Sequence, residues 1–365
     1  MSTKQRLERL RARMVEKGLD GLLISQPESR RYVSGFTGSA GNLFISKSVA
    51  VLVTDFRYTE QATKQSPDFE VFQAQGPMKD WLPDLLKRLN APKVGFEAEH
   101  MTVATHKRFQ DLLQGAGAGM PELVSTEGLV SPLREIKDAE ELEAIKKAIR
   151  ASDYAIETVV PAMKPGMTEK AVAWEIFKAM KEAGAEGESF PAIVASGPNG
   201  AMAHHRPSDD PIQAGVPIVL DIGAIVDGYC SDLTRTICIG KPDAQFIKVY
   251  DTVLTAQLAA INAVTAGMTA GEADNLARSV IEKAGYGETF GHALGHGVGL
   301  AVHEEPRLAK GVEDKLVDGM VFTIEPGIYI SGWGGVRIED IVVLEGGKAR
   351  LLSHAPKREL QGVKK

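Results

Sequence analysis

The stretch GHALGHGVGLAVHEEP, Gly291 to Pro306, sets His292, His296 and His303 in a loop where glycine recurs at almost every second or third position. Imidazole is the commonest nitrogen ligand for a metal ion, and glycine lets backbone approach a site closely. The loop lacks the GxGxxG spacing and the lysine of a phosphate loop, and Ala293 stands where a zincin motif needs glutamate. Its partners must come from elsewhere in the chain. In PIVLDIGAIVDGYCSDLTRTICIG, Asp227-Gly228 is a strong two-residue hairpin signal, and a turn centred there pairs Asp221 with Thr234. Asp221 and Asp232 then share one face as diagonal neighbours, a repulsive arrangement without a compensating cation.

A second segment, MVFTIEPGIYISGWGGVRIEDIVVL, repeats the oddity, with Glu325 and Glu339 on either side of a glycine-rich turn. Buried charges of one sign need metal, base or proton to be tolerable. Four carboxylates with His296 could hold two divalent ions and a bridging water. Such a donor set suits Mn²⁺, with Zn²⁺ or Co²⁺ admitted by the imidazole. The chemistry expected is activation of water as a nucleophile and stabilisation of a tetrahedral oxygen.

The elements that position these groups are duplicated. PGMTEKAVAWEIFKAMKEAGA from Pro165 and AGMTAGEADNLARSVIEKAGY from Ala266 share Gly-Met-Thr, a helix and Ala-Gly at an offset of 101 residues. Thr168 and Thr269 are the expected N-caps, Thr269 in a capping box with Glu272, and Gly184 and Gly285 the expected C-terminal glycines. Each copy runs into one acid-bearing hairpin, so two halves can pack around a shared cleft. Ahead of them, GLLISQ, NLFIS and VAVLVTDFRYTEQA with a helix around DWLPDLLKRLN predict an α/β layer domain over residues 1–131. A turn-like LVSPLREIKD sets the boundary near Pro132, and residues 132–365 form the second domain, opening on a charged helix at AEELEAIKKAIRASDYAIETVV.

Composition narrows the partners. The 365 residues carry 42 Lys+Arg against 48 Asp+Glu, a net charge of -6 without a block of like charge, so neither nucleic acid nor a membrane surface is expected. The N-terminal segment places Leu7, Leu10 and Met14 at helical spacing and reads as an amphipathic surface helix rather than a signal peptide. With only Cys230 and Cys238, no disulfide framework is expected, which suits a reducing cytoplasm.

At LDIGAIVDGYCSDLTRT, GHALGHGVGLAVHEEP, FTIEPGIYI and GVRIEDIVVL the chain resembles the pita-bread metallopeptidases, the superfamily of methionine aminopeptidase, aminopeptidase P and prolidase. The resemblance implies a creatinase-type α/β N-terminal domain and an α+β pita-bread catalytic domain with an internal pseudo-two-fold. It implies two divalent metal ions per subunit: Asp221 chelating one, Asp232 and Glu339 bridging both, His296 and Glu325 completing the other site. Glu325 would double as the acid/base partner of the bridging hydroxide. His303 and His204 would contact the reacting peptide, His204 being chosen over its neighbour His205. His292 would border the substrate pocket, and Arg337 would orient carboxylates or meet a substrate carboxylate.

YVSGFTGSAGNLFIS and TDFRYTEQA resemble the N-terminal domain of bacterial aminopeptidase P and its prolidase-like relatives, a domain that usually supports a homodimer. The first expectation is therefore a Xaa-Pro aminopeptidase acting on peptides with proline at the second position. Prolidase, restricted to Xaa-Pro dipeptides, is the alternative. Creatinase-like C–N hydrolysis and a non-enzymatic peptide-binding module are disfavoured because all five ligand positions are filled.

Overall fold

Helix α1, Thr3–Glu16, begins at a Ser2–Gln5 capping box and buries Leu7, Leu10 and Met14, the face its spacing predicts. A computed structural model describes residues 1–357 of the chain, which divides into two units, Met1–Arg134 and a second from Glu135 onward. In the first unit α1 is followed by β1 (Gly21–Ile24), α2 (Pro27–Ser34), β2 (Asn42–Ser46), β3 (Ala50–Thr54), α3 (Thr59–Gln65), β4 (Glu70–Gln73), α4 (Leu82–Leu89), β5 (Lys93–Glu97), α5 (Val103–Gly115) and β6 (Glu122–Thr126). The strands form one sheet in the order β4-β3-β2-β1-β5-β6. β1, β2 and β3 pair antiparallel, whereas β3–β4, β1–β5 and β5–β6 are parallel. Central strands such as β1 are buried throughout, which is why they read as unbroken apolar runs. The expected turn LVSPLREIKD instead contains a short helix, α6 (Ser131–Glu135), where Pro132 in the first turn costs no hydrogen bond.

The second unit contains the repeat. α7 (Ala139–Val159) starts at an Asp138–Glu141 capping box and packs on α8 (Glu169–Glu182). Then come β7 (Gly187–Glu188), β8 (Ile193–Ser196), β9 (Ile218–Ile222), β10 (Ala224–Val226), β11 (Tyr229–Cys230) and β12 (Leu233–Ile237). The second copy supplies α9 (Ala244–Ala263) and α10 (Ala270–Lys283), followed by β13 (Gly295–Gly297), β14 (Glu304–Leu308), β15 (Val321–Ile324), β16 (Gly327–Ile330), β17 (Gly334–Arg337), β18 (Asp340–Glu345) and β19 (Lys348–Leu351). Thr168 caps α8 by accepting from the Ala171 N–H, and Thr269 forms its capping box with Glu272. Gly184 and Gly285 follow the helices with φ of 93° and 85°, a conformation glycine adopts without steric cost.

The first acid-bearing hairpin has the register its turn predicts. β9 pairs β12 with Asp221 opposite Thr234, and β10–β11 close on Asp227 and Gly228 at φ 49° and 70°, a type I′ geometry. In the second hairpin Ile324 lies opposite Asp340 and Gly327 opposite Arg337, so Glu325 and Glu339 face each other where the ladder passes from β15–β18 to β16–β17. The hairpins dock through backbone: the Glu339 N–H donates to Thr234 O at 3.1 Å, and Thr236 Oγ1 donates to Arg337 O at 2.9 Å. Cys230 and Cys238 are both buried, and neither is in a disulfide among the described residues. Among the described residues no helix is long and apolar enough to cross a membrane.

Candidate active site

The carboxylates meet where the two hairpins dock. Asp221, Asp232 and Glu339 are 8 %, 6 % and 2 % exposed, a burial that a solvated surface acid would not tolerate. The His296 loop enters this space closely because of its glycines. A methyl group at Gly295 would lie 2.0 Å from Thr323 O, and one at Gly297 2.1 Å from Glu305 O. His296 Nδ1 donates to Gly297 O at 3.1 Å, which leaves Nε2 turned toward the acids, 3.3 Å from Glu325 and 3.6 Å from Asp232. Thr323 ties the group together, accepting from the His296 N–H and donating to Glu325 Oε1.

The electrostatics are those of a cation site holding protons. Burial, then the charges of Glu325 and Asp221, push Glu339 up to about 8. Burial, then Glu339 and Asp221, raise Asp232 well above the carboxylate range. Asp221 is also raised by burial, with Arg337 pulling it back. Burial lowers His296, but its hydrogen bond to Glu325 and the surrounding negative charge outweigh this and push it up to about 9. Glu325 is the exception, because His296, His292 and Arg337 outweigh its burial and hold it below its usual value.

The same residues fit a divalent ion. Ligand atoms of Asp232, His296 and Glu339 all lie within 4.8 Å of one another, a group that could hold a metal. Asp221 Oδ1 is buried without a hydrogen-bond partner, an orphan acceptor that a cation would satisfy. Oxygen donors with one imidazole suit a borderline-hard divalent ion.

Around this cluster runs a support that the sequence only partly discloses. Arg337, 4 % exposed, donates from Nη2 to Asp221 Oδ2 at 2.5 Å, from Nη1 to Tyr329 OH at 2.6 Å and from Nε to Thr234 Oγ1 at 3.1 Å. Of the two expectations for Arg337, orienting carboxylates is the one this geometry serves; its fork is turned into the protein. Tyr329 OH, having accepted from Arg337, donates to His292 Nε2 at 3.0 Å, while His292 Nδ1 donates to Ala293 O at 2.7 Å. Both His292 nitrogens are engaged, so it supports Tyr329. Burial lowers its pKa, consistent with a neutral ring. Asp274 and Arg278 on α10 hold the same loop: Asp274 Oδ1 accepts from the Leu294 N–H, and Arg278 donates to the carbonyls of Phe290 and His292.

His303 lies against His296 with ring centroids 4.3 Å apart; burial and then the His296 charge lower its pKa. His204 is exposed and close enough for its charge to act on His303 as well. His205 instead binds Glu169 Oε2 at 2.7 Å. Tyr329 and Thr234, both inside motifs visible in the sequence, join this support through hydroxyl contacts that the sequence does not disclose.

Residues 143–345 match the family model described as Metallopeptidase family M24, and residues 6–136 match that of the Creatinase/Prolidase N-terminal domain. The chain belongs to metallopeptidase family M24. The Xaa-Pro dipeptidase from Bacillus anthracis is 41 % identical, with 98 % of this chain and 99 % of that one covered and a TM-score of 0.94. The X-Pro aminopeptidase from Thermotoga maritima MSB8 gives 38 %, coverage of 96 % and 98 %, and a TM-score of 0.87. The Xaa-Pro dipeptidase of Pyrococcus furiosus is 37 % identical over 95 % of this chain and 97 % of its own. This M24 chain accordingly has the pita-bread fold behind a creatinase-type domain, is a metallo-exopeptidase, and belongs to a family that works with divalent metal ions.

One prediction concerns the support. Tyr329→Phe removes the hydroxyl between Arg337 and His292 while keeping the ring, so the M24 enzyme should retain its metal and fold but lose about ten- to hundredfold in kcat, the usual cost of loosening a metal ligand's support. Metal analysis with steady-state kinetics checks it, and unchanged kcat would remove the network from the mechanism.

Proposed function

We propose that this protein is a Xaa-Pro dipeptidase, a prolidase, that hydrolyses the bond between an N-terminal residue and a following C-terminal proline. The observation that carries the peptidase reading is the cluster of buried Asp221, Asp232 and Glu339 with half-buried Glu325 around His296 Nε2, and its orphaned Asp221 oxygen. The sequence ranks aminopeptidase P first; the relatives lean to the alternative, since those of Bacillus anthracis and Pyrococcus furiosus are named Xaa-Pro dipeptidases. The X-Pro aminopeptidase of Thermotoga maritima, at 38 % identity, supports longer peptides as a second reading.

In this proposal Asp221, Asp232, His296, Glu325 and Glu339 would together hold two divalent ions, Asp221 toward one, His296 and Glu325 toward the other, and Asp232 and Glu339 shared by both; Mn²⁺ would suit this donor set, with Zn²⁺ or Co²⁺ as substitutes. When bound, the ions supply Lewis acidity that makes water nucleophilic near neutral pH and polarises the scissile carbonyl. Glu325, ionised, takes the proton from water and passes it to the departing proline nitrogen. His303 and His204 donate N–H to the oxygen that becomes negative as the carbonyl turns tetrahedral. Arg337 and Tyr329 keep Asp221 in place. A homodimer in the cytoplasm completes the proposal.

The test is hydrolysis by metal-stripped protein re-supplied with Mn²⁺, Co²⁺ or Zn²⁺, comparing a Xaa-Pro dipeptide with a Xaa-Pro-Yaa-Zaa peptide. Cleavage of the dipeptide alone is expected. Equal cleavage of the longer peptide would mean aminopeptidase P, and silence on both would overturn the peptidase assignment of these residues.

A further inference from the structure

Glu169 is one of several buried acids that the mechanism leaves unused. Glu169, the first residue of α8, is 0 % exposed, and both its oxygens are fully engaged. Oε1 accepts from the Ser196 N–H at 2.8 Å and from Asn199 Nδ2 at 3.0 Å. Oε2 accepts from the Ser208 N–H at 2.9 Å, Ser208 Oγ at 2.8 Å and His205 Nε2 at 2.7 Å. Burial raises its pKa, but the hydrogen bonds from Asn199, Ser196, His205 and Ser208 outweigh this and hold it below its usual value, so the group is an acceptor for all of them. One carboxylate thus joins the start of a helix, the end of β8, the 3-10 turn Gly197–Ala201 and the segment 205–208. His204 lies between that turn and His205.

The turn is itself seated on the active-site hairpin. A methyl group at Gly335 in β17 would stand 2.1 Å from Gly200 O, so backbone meets backbone two residues from Arg337. From this anchorage His204 comes within electrostatic reach of His303.

The repeat supplies a comparison within the molecule. Ala270 begins α10 as Glu169 begins α8, and both helix starts make the same backbone staple: Glu169 N–H to Asp210 O at 3.3 Å, Ala270 N–H to Asp314 O at 2.8 Å. The fold needs only that backbone bond, since alanine serves in the second half. The acid is present only in the half whose following loop carries His204.

We propose that Glu169, acting through its hydrogen bond from His205, is a positioning residue that fixes His204 toward the reacting peptide. The inference rests on the reading of His204 as a group that contacts substrate. Loss of the Glu169–His205 bond frees the segment around His204 to swing, and a displacement of about 1 Å in a positioned group costs up to about a hundredfold in rate.

The test uses the Mn²⁺-loaded full-length protein and a Xaa-Pro dipeptide, with kcat, KM and metal content measured for H205L, H205Q, E169Q, H204A and H204A/H205L. H205L is expected to lower kcat about tenfold with KM and metal content near wild type. H205Q, whose amide can still donate to Glu169, should restore most of that rate. In the H204A background H205L should cost nothing more, because groups that act through one another are not additive. E169Q should lower kcat at least as far as H205L; if it fails to fold, the His205 pair decides. A full additional loss in H204A/H205L, or H205Q as impaired as H205L, would overturn the positioning role while leaving His204 in place. Wild-type kcat in H204A would overturn the reading of His204 and this inference with it.

Discussion

Alanine at Asp232 or Glu339 is expected to abolish metal binding at neutral pH and to lower kcat/KM on a Xaa-Pro dipeptide by about a thousandfold or more, beyond the usual cost of losing one electrostatic stabiliser. The reason lies in where the two acids stand. Their oxygens and His296 Nε2 belong to the group of ligand atoms within 4.8 Å of one another, at the seam where Glu339 also receives a hydrogen bond from Thr234 Oγ1 at 2.7 Å. Either substitution removes an acid from between both proposed ion positions, so neither ion keeps its ligand set. A purely structural acid predicts a different companion result. Removing it would destabilise the protein, whereas removing one of several buried like charges should leave the metal-stripped protein as stable as wild type or more so. Metal quantification, steady-state kinetics and thermal unfolding in EDTA check the three parts together. Retained turnover with bound metal would end the assignment of these two acids.

The features legible in the sequence were those fixed by short-range rules. Asp227-Gly228 accepts positive φ at both positions, so it dictates a two-residue turn, and the turn dictates that Asp221 faces Thr234. Thr168, Thr269 and their glycines mark helix ends because capping is local chemistry. The unread contacts join residues of separate elements: Thr234 with Glu339, Arg278 with His292 O. Such pairs depend on how hairpins and helices dock, and a residue such as Tyr329 carries no mark that its hydroxyl will bridge an arginine and a histidine. Arg235 is the extreme case. Nothing in its motif singles it out, yet it is 1 % exposed, ion-paired to Asp340 at 2.8 Å and bonded to the carbonyls of Glu339 and Ala355. In the first unit the sequence marked β1, β2, β3 and α4 but not the buried β5, while β4 and β6, exposed or half-exposed along their length, lack the apolar run that would have marked them.

Metal-stripped protein should lose stability as pH rises from 6 to 9, and Mn²⁺ should abolish that loss. Glu339 stands raised to about 8 from an ordinary 4.5, and His296 to about 9 from 6.5. For a group whose folded pKa is raised, the folded state binds the proton more tightly, so its stabilisation is complete below the ordinary value and gone above the folded one. The Glu339 contribution therefore drains between 4.5 and about 8, and that of His296 between 6.5 and about 9. The two windows overlap from 6.5 to about 8, where the fall should be steepest, and Asp232, raised in the same direction, contributes a loss of the same sign as pH rises. Glu325 is lowered, so its stabilisation is present above its ordinary 4.5 and fails only as pH drops below that, outside this range. A divalent ion takes the place of these protons, so its apparent affinity should rise about tenfold per pH unit for each proton released. Thermal unfolding of EDTA-treated and Mn²⁺-loaded protein from pH 5.5 to 9 measures both effects, with Glu339→Ala as the control that lacks the lower window. A metal-stripped protein whose melting temperature is level or rising between pH 6.5 and 8 would mean that the acids are not crowded around a vacant charge, and with that the physical basis for a metal at this seam would go.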